Sequence, residues 1–549
     1  MASRSDLEAD DPYARQSQTF PRLSPEMVER IAPWGREERF ADGALLFQRG
    51  ERSVDFFLIL DGAIQITEPG DGDAEHIVHT HHANGFTGEL DLFNDRAILV
   101  SGRAFGPTRV IRVPRASFRA MLAAEPDIAE IILRAFILRR TGLIRHAEGG
   151  VVIVGRGAAA DTLRIVQFLS RNGYPHRLVD VDADSDAAGF LEHVGEHGDV
   201  LPVVILPGTD TVLRNPPTPE LSDTLGLTEQ IDADALFDVA VIGGGPSGLA
   251  AAVYAASEGL ATVVVEAHAP GGQAGTSSRI ENYLGFPTGI SGQALAARAF
   301  IQAQKFGAKF AVSRAVRRLE CGTEPIGIEL EDGWRLRARA VVVASGARYK
   351  KLGLCNEKRF EGAGIHYAAT AIEARFCGET EVAVVGGGNS AGQAAVFLSR
   401  TASHVHVLVR SEGLAATMSD YLVQRIAASP KITLHSFTEI AELHGADVLD
   451  AVTWVNRQTG ARETRPIAHV FVMIGADPNT AWLNGCVALD SRGFIVTGAD
   501  AGVAGNLATS HPGVFAVGDV RSGSVKRVAS AVGEGAMAVT QVHGFLATL

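Results

Sequence analysis

Two runs of small residues mark where chemistry can occur in this chain. Gly243-Gly244-Gly245-Pro246-Ser247-Gly248 follows the apolar pair Val241-Ile242, and Gly386-Gly387-Gly388-Asn389-Ser390-Ala391 follows Val384-Val385. Both have the order strand, glycine turn, helix that a dinucleotide fingerprint requires. In the first run Gly243 permits the tight turn, Gly245 lets backbone approach a pyrophosphate, and Gly248 allows close helix packing. The N-terminus of the following helix carries partial positive charge for that phosphate. The next strand, 261–265, ends in Glu266, the place for an acid that meets a ribose hydroxyl. In the second run Gly386 and Gly388 keep the spacing and Ala391 replaces the third glycine. Its following strand, 404–409, ends in Arg410 rather than an acid. An arginine there can neutralise a 2′-phosphate, which favours NADPH over NADH; a solvated strand-end charge is the alternative. Two fingerprints predict two dinucleotides, a flavin and a nicotinamide.

Further segments resemble the flavin side of bacterial thioredoxin reductases. They are Gly271-Gly272-Gln273-Ala274, Ile280-Glu281-Asn282-Tyr283-Leu284-Gly285-Phe286-Pro287, Ala344-Ser345-Gly346-Ala347 and Ile474-Gly475-Ala476-Asp477-Pro478-Asn479-Thr480. Gly513-Val514-Phe515-Ala516-Val517-Gly518-Asp519 and Lys526-Arg527-Val528-Ala529 complete the set. The resemblance runs from about residue 237 to the C-terminus, with independent motifs in the right order. It implies FAD, with Asp519 on the ribityl chain and Arg527 and Val528 near the flavin. Ser247, Gly272, Gln273, Asn282 and Gly346 are the further expected FAD contacts, and Asn389 and Ser390 are expected on the nicotinamide dinucleotide. It also implies a nicotinamide domain inserted between two halves of a flavin domain. The family's later arginines are missing, since the chain reads Val409-Arg410-Ser411 and has Ala415 further on.

The family's redox centre is a Cys-Ala-Thr-Cys motif just after a His-Tyr pair. Here His366-Tyr367 is followed by Ala368-Ala369-Thr370-Ala371. Thiol-disulfide exchange needs an attacking thiolate and a resolving partner, and alanine is neither. The four cysteines, Cys321, Cys355, Cys377 and Cys486, show no CxxC spacing and are expected to be buried free thiols, with no metal site. The expected function is an NADPH-dependent FAD oxidoreductase. Hydride passes from NADPH to FAD and electrons then go to an unknown acceptor, protein or small molecule, with no catalytic residue assigned to the chain itself. One alternative is a thioredoxin-disulfide reductase using other cysteines; another is a ligand or redox sensor with little turnover. Some dithiol-free flavoproteins resembling thioredoxin reductase reduce ferredoxin. This chain ends at Leu549 without the extension they carry, so ferredoxin is not the favoured acceptor.

Residues 25–145 resemble cyclic nucleotide-binding domains. Phe86-Thr87-Gly88-Glu89-Leu90 with Arg96-Ala97 is similar to their phosphate-binding cassette. The resemblance implies a cyclic nucleotide at Gly88, Glu89, Leu90, Arg96 and Ala97, with Arg96 on the phosphate and Glu89 on the ribose. Thr87, Asp95 and Leu99 depart from the pattern, and Asp95 beside Arg96 would offset its charge. A β-roll used only for docking is the other reading. In residues 150–227, Gly155-Arg156-Gly157-Ala158-Ala159-Ala160 mimics a dinucleotide loop, with Asp180 downstream. Leu201-Pro202-Val203-Val204-Ile205 resembles the strand of glutaredoxin-like and thioredoxin-like folds whose proline is cis. The stretch 156–161, where their cysteines would lie, has none. A docking or spacer role is expected there.

The elements that must hold these sites follow from pattern. Residues 40–114 read as short strands with glycine turns, 54–62 being a strand that ends in a turn at Gly62. Ile128, Ile131, Ile132, Ala135 and Leu138 share one helix face, suited to packing on the β-roll or on a twin in a homodimer. Strands are expected at 151–154, 177–181 and 201–206, with a helix over 161–172 and a linker at 232–236. From 237 onward βαβ alternation predicts a parallel sheet. The chain has 549 residues, enough for three or four domains, and its net charge of −13 argues against a nucleic-acid partner. The stretch 239–257 is uncharged, yet its glycine run marks it as strand, turn and helix rather than a membrane span. No signal-peptide core is visible, and a cytoplasmic location without membrane contact is expected. The expected fold is multidomain: an N-terminal β-roll of cyclic nucleotide-binding type, a central α/β thioredoxin-like domain, and C-terminal tandem Rossmann-type FAD and NAD(P)H domains. The expected boundaries are a disordered tail at 1–20, then 21–149, 150–231 without CxxC, 236–350 with 471–549 for FAD, and 351–470 for NAD(P)H.

Overall fold

Strands with glycine turns build the front of the chain as an antiparallel sheet. In the computed structural model, which describes residues 11–69, 75–94, 96–184, 187, 200–232 and 234–549, that sheet has five strands. They are Arg36–Phe40, Leu45–Phe47, Phe56–Pro69, Glu75–His82 and Ser101–Val113. The turn expected at Gly62 is instead a bulge inside the 14-residue strand Phe56–Pro69, where register with the partner strand shifts on either side of Asp61. Gly62 sits at φ +81°, and a Cβ there would lie 2.5 Å from the Pro107 carbonyl oxygen. Only glycine lets the strand bend at that point without ending it.

Helices Arg115–Ala124 and Pro126–His146 follow. Ile128, Ile132, Ala135 and Phe136 of the second are buried, and the Phe136 ring meets Phe86 and Phe118. Ile128, Ile132 and Ala135 of the stripe are therefore packed within the chain, while Ile131 and Leu138 are half-buried. The tail expected to be disordered through residue 20 is ordered from residue 11. Asp11 is buried and ion-paired with Arg145 and His146, and Thr19 Oγ1 donates to the Pro12 carbonyl at 2.5 Å. Residues 1–10 lie outside the described residues.

A second, four-stranded sheet has the order His176–Asp180, Val151–Gly155, Val203–Ile205, Val212–Arg214. The first pair is parallel and the others antiparallel. Val154, Val179, Val203 and Ile205 form its core, and the Leu201–Pro202 peptide is cis. Asp180 is occupied structurally, since its Oδ1 accepts the N–H groups of Gly157 and Asp182 at 3.0 and 3.1 Å.

The described residues divide into two compact units. One comprises those of Met1–Gly157, Phe168–Asp232 and Gln304–Ser313; the other those of Ala158–Gln167, Ala233–Ala303 and Arg314–Leu549. The expected boundary at 149/150 thus falls inside one unit. Gln304–Ser313, expected with the FAD domain, joins that unit because Glu229 N–H donates to Phe310 O and Thr228 Oγ1 to Val312 O, at 3.1 and 2.6 Å.

The second unit carries a mixed sheet and a parallel one. The parallel sheet expected from 237 onward is corrected for the first, where Val316–Glu320, Ile326–Leu330 and Arg335–Val343 pair antiparallel. In one, Leu236–Ile242 lies between Thr262–Glu266 and Arg335–Val343, parallel to both. Val514–Ala516 returns to pair in parallel with Arg335–Val343. The other has the order Ile365–His366, His469–Val472, Glu381–Val385, His404–Leu408, Ile432–His435. Its residues are inserted in sequence before the return strand, and the two-stranded ladder of Ala347–Tyr349 with Ala476–Pro478 marks the entry and exit. The uncharged stretch 239–257 divides into the strand Leu236–Ile242 and the helix Pro246–Ser257. No described helix is long and apolar enough to cross a membrane.

Candidate functional site

The first glycine turn is held by close packing. Gly243 sits at φ +107°, and a Cβ there would lie 2.3 Å from the Ala344 carbonyl oxygen. A Cβ on Gly248 would lie 1.9 Å from the Gly243 oxygen, so helix Pro246–Ser257 starts directly against the turn. Gly245 differs, because the nearest atom to its Cβ position is Gly272 Cα at 3.9 Å. Two glycines therefore serve the backbone and one leaves space. Glu266 is buried; its Oε2 accepts Gly244 N–H at 2.7 Å and its Oε1 accepts His268 N–H at 2.9 Å. A carboxylate offers about four acceptor sites, so these bonds orient Glu266 and leave capacity for a hydroxyl.

Asp519 lies just past the return strand and has no hydrogen-bond partner among the described residues. Burial raises its carboxyl above the usual range, and the Lys526 charge partly offsets this. A half-buried acid without a partner fits a ribityl hydroxyl. Gln273 donates to the Ala347 carbonyl, and Gly346 has φ +62° with open space at its Cβ position. Asn282 and Arg527 are exposed, and Arg527 caps the helix Val528–Leu546. Glu534, not singled out in the sequence, is buried in that helix. It accepts Gly518 N–H at 2.6 Å and pairs with Arg521 at 2.5 Å, fixing the Asp519 turn. Its signal was one acid in a helix of small apolar residues.

The second turn repeats the design. At Gly386, φ is +139° and a Cβ would lie 2.3 Å from the Met473 oxygen, whereas at Gly388 nothing lies within 4 Å. Gly388 caps helix Asn389–Leu398, in which Ala391 is buried and Ser390 exposed. Asn389 is partly committed, since its Oδ1 accepts Ser419 N–H at 2.7 Å. Arg410 is exposed and has no ion pair among the described residues. The open cradle at Gly388 and the unpaired guanidinium beside it fit a phosphorylated dinucleotide.

Residues 237–535 match the pyridine nucleotide-disulphide oxidoreductase family. The chain belongs to that family. It is an enzyme of the thioredoxin reductase-like flavin oxidoreductases, with a cyclic nucleotide-binding domain matched ahead of it at residues 37–125. It is similar to an NADH dehydrogenase of Ferdinandcohnia aciditolerans, 33% identical over 367 residues, covering 66% of this chain and 68% of the relative. It is also similar to a thioredoxin reductase of Peptoclostridium litorale, 33% identical over 320 residues, covering 57% and 98%. Among solved structures, the thioredoxin reductase of Lactococcus lactis has a TM-score of 0.53 at 30% identity, covering 57% of this chain and all of that one.

In this oxidoreductase the segment expected to correspond to the family's dithiol makes other interactions. Ala369 is buried, and the Thr370 N–H donates to Glu373 Oε2 at 2.8 Å at the start of helix Ala371–Phe376. Tyr367 Oη donates to Glu357 and Glu361 at 3.1 and 3.0 Å, and burial with these acids raises its pKa. The expectation of four buried free thiols is corrected. Cys321 and Cys486, 165 residues apart, form a disulfide with Cα atoms 5.9 Å apart, and Cys355 is exposed. Only Cys377 is both free and buried; burial, then the Glu373 charge, pushes its thiol up to about 12. Such a thiol is inert near neutrality. Iodoacetamide at pH 8 is expected to label Cys355 and spare Cys377 in the folded protein, as peptide mass mapping would report. Rapid labelling of Cys377 would contradict that burial.

The front domain does not assemble its expected ligand set. Gly88 is in place at φ +110° and Leu90 is buried. Glu89, however, is held by Arg140, whose guanidinium also pairs with Asp91 at 2.5 Å. Arg96 is buried and its Nε donates to the Leu227 carbonyl at 2.9 Å. Ala97 is half-buried, and Asp95 lies outside the described residues. The two side chains expected on ribose and phosphate are thus committed to protein partners. The pairing of Arg140 with two buried acids could not be foreseen without knowing that the helix passes the cassette.

Proposed function

We propose that this chain is an NADPH-dependent FAD oxidoreductase whose electron acceptor lies outside the family's dithiol chemistry. The carrying observation is the pairing of two well-formed dinucleotide turns with alanine at positions 368 and 371. The Gly243–Gly248 turn, Glu266, Gly272, Gln273, Gly346 and Asp519 would hold FAD, and Gly386, Gly388, Asn389, Ser390, Ala391 and Arg410 would hold NADPH. FAD, when bound, supplies the two-electron chemistry that links NADPH to an acceptor. The protein's share is to grip both pyrophosphates at helix N-termini and to orient Asp519 through the Glu534–Arg521 brace.

A panel of acceptors tests this reading. Steady NADPH oxidation is expected with a small quinone and not with thioredoxin coupled to insulin. Thioredoxin turnover at a comparable rate would favour the second reading, a disulfide reductase working through Cys321–Cys486, which that disulfide itself supports. A cyclic-nucleotide ligand for the front domain is supported by the family match at 37–125, but not by the placement of Glu89 and Arg96. A thioredoxin-like identity for residues 150–231 is supported by the mixed sheet and helix, and a docking role suits it.

Arg410 sets the preference for the phosphorylated dinucleotide. In Arg410→Ala the KM for NADPH is expected to rise about tenfold, with kcat and the KM for NADH nearly unchanged, because one exposed charge-assisted contact is worth roughly 1.5 kcal/mol. An unchanged ratio of kcat/KM for the two dinucleotides would reduce Arg410 to a solvated strand-end charge.

A further inference from the structure

Arg96 is buried, and its Nε donates to the Leu227 carbonyl at 2.9 Å. That carbonyl has no other hydrogen-bond donor among the described residues. Burial pushes the Arg96 guanidinium down to about 10, while the charges of Asp91 and Glu229 act to raise it. Gly226 lets the segment lie close to the cassette. It sits at φ +65°, and a Cβ there would lie 2.8 Å from the Ala97 Cβ and 3.1 Å from Arg52 Nη2. Arg52 Nη1 in turn donates to the Thr228 carbonyl at 3.2 Å. Arg96 and Ala97, expected on a cyclic phosphate, thus pack against residues 226–228 of their own chain.

The same short segment grips a second place. Thr228 Oγ1 donates to the Val312 carbonyl at 2.6 Å, and Glu229 N–H to the Phe310 carbonyl at 3.1 Å. Gln304 Nε2 donates to Glu229 Oε1 at 3.3 Å. Thr228, Glu229, Gln304, Phe310 and Val312 are all buried, so water cannot replace a bond that is lost. The chain then passes through Ser313, at φ +59°, into Arg314, whose N–H donates to the Glu266 carbonyl at 3.0 Å. Serine rarely adopts that left-handed conformation, and such a turn persists only where its flanks are held. Val312 is held by Thr228 on one flank, and Arg314 by Glu266 on the other. Glu266 is the acid read above as the partner of the FAD ribose.

We propose that Arg96 is a positioning residue for the flavin site: it anchors Leu227, and Leu227–Glu229 fixes the Val312–Arg314 turn that sets the backbone of Glu266. The cassette then serves as a receptor for the chain's own residues 227–229. Loosening that contact weakens FAD retention without altering any residue that meets FAD. The proposal rests on the reading of Glu266 as an FAD contact.

Two measurements on the full-length flavoprotein test this: hydrogen exchange by mass spectrometry, and FAD dissociation followed by flavin fluorescence. Arg96→Met and Gly226→Ala are expected to speed exchange at residues 309–314 and to raise the FAD dissociation constant at least about threefold. Arg96→Lys is expected to keep most of the parent behaviour. Thr228→Val, which leaves the cassette intact, should reproduce both effects. Asp11→Asn is the control, because it weakens the buried pairing with Arg145 and His146 elsewhere in the front domain. It is expected to lower the melting temperature while exchange at 309–314 and FAD affinity stay at the parent level. If Arg96→Met fails to fold, Gly226→Ala decides at the cassette and Thr228→Val beyond it. Parent-like exchange and FAD affinity in Gly226→Ala, or an equal loss of FAD in Asp11→Asn, would overturn the proposal, since continuity in space is not itself coupling. Faster exchange with unchanged FAD affinity would overturn the positioning role. Glu266→Gln then separates the causes: unchanged FAD affinity there means that the reading of Glu266 has failed, and a fall means that only the relay has.

Discussion

Anaerobic titration of the full-length flavoprotein with NADPH is expected to bleach the flavin band completely at about one NADPH per FAD. A family enzyme with its dithiol stores two further electrons and takes about two. Here position 368 is alanine, position 371 is alanine, and the thiol of Cys377 is pushed up to about 12. The remaining candidate store is the Cys321–Cys486 disulfide. It joins the loop after Val316–Glu320 to the stretch after Ala481–Leu483, and both cysteines are partly exposed. A stoichiometry near two would therefore implicate that disulfide. The double variant Cys321→Ser, Cys486→Ser would then have to return it to one. If the unaltered protein already gives one, the same variant leaves the titration unchanged and the disulfide is a brace for the flavin half.

The two turns were legible because what makes them is local. A backbone that turns from strand to helix within a few residues needs glycine where φ is positive and where another chain passes close, and Gly243 and Gly386 answer that need within a single window. The alanines at the dithiol position were legible for the same reason. What was hidden depends on which distant segments meet. Cys321 and Cys486, 165 residues apart, are brought together as the C-terminal segment returns to the sheet of Arg335–Val343. Arg96 has the position of a phosphate ligand in sequence but spends its Nε on Leu227, 131 residues away. Arg139 and Arg140 are adjacent in sequence, yet among the described residues Arg140 pairs with two acids and Arg139 with none. Periodicity placed their helix without revealing which arginine would be satisfied. Gly62 misled for a related reason, because a glycine between apolar runs looks the same whether the strand ends or bulges.

The two kinds of glycine in each turn predict two different failures. Gly248→Ala places a methyl 1.9 Å from the Gly243 oxygen, and Gly243→Ala adds one 2.3 Å from the Ala344 oxygen at φ +107°. Backbone must move in both, and in Gly243→Ala the positive φ adds a cost of roughly 1–3 kcal/mol for the conformation alone. Both variants are expected to purify without bound FAD and to melt earlier than the parent protein. Gly388→Ala is different in kind. Its φ is −92°, which alanine adopts freely, and no atom lies within 4 Å of the new methyl. Folding, FAD content and melting temperature are expected to match the parent. The methyl instead occupies the space through which a pyrophosphate approaches the helix N-terminus, so the KM for NADPH should rise at least about tenfold while kcat at saturation holds. Flavin absorbance, a melting curve and steady-state kinetics on the three proteins separate these effects. An unchanged KM in Gly388→Ala would mean that the second turn is a packing device and that the nicotinamide dinucleotide binds elsewhere. A loss of FAD in that variant would mean that the two turns depend on each other, which nothing in their separate sheets requires.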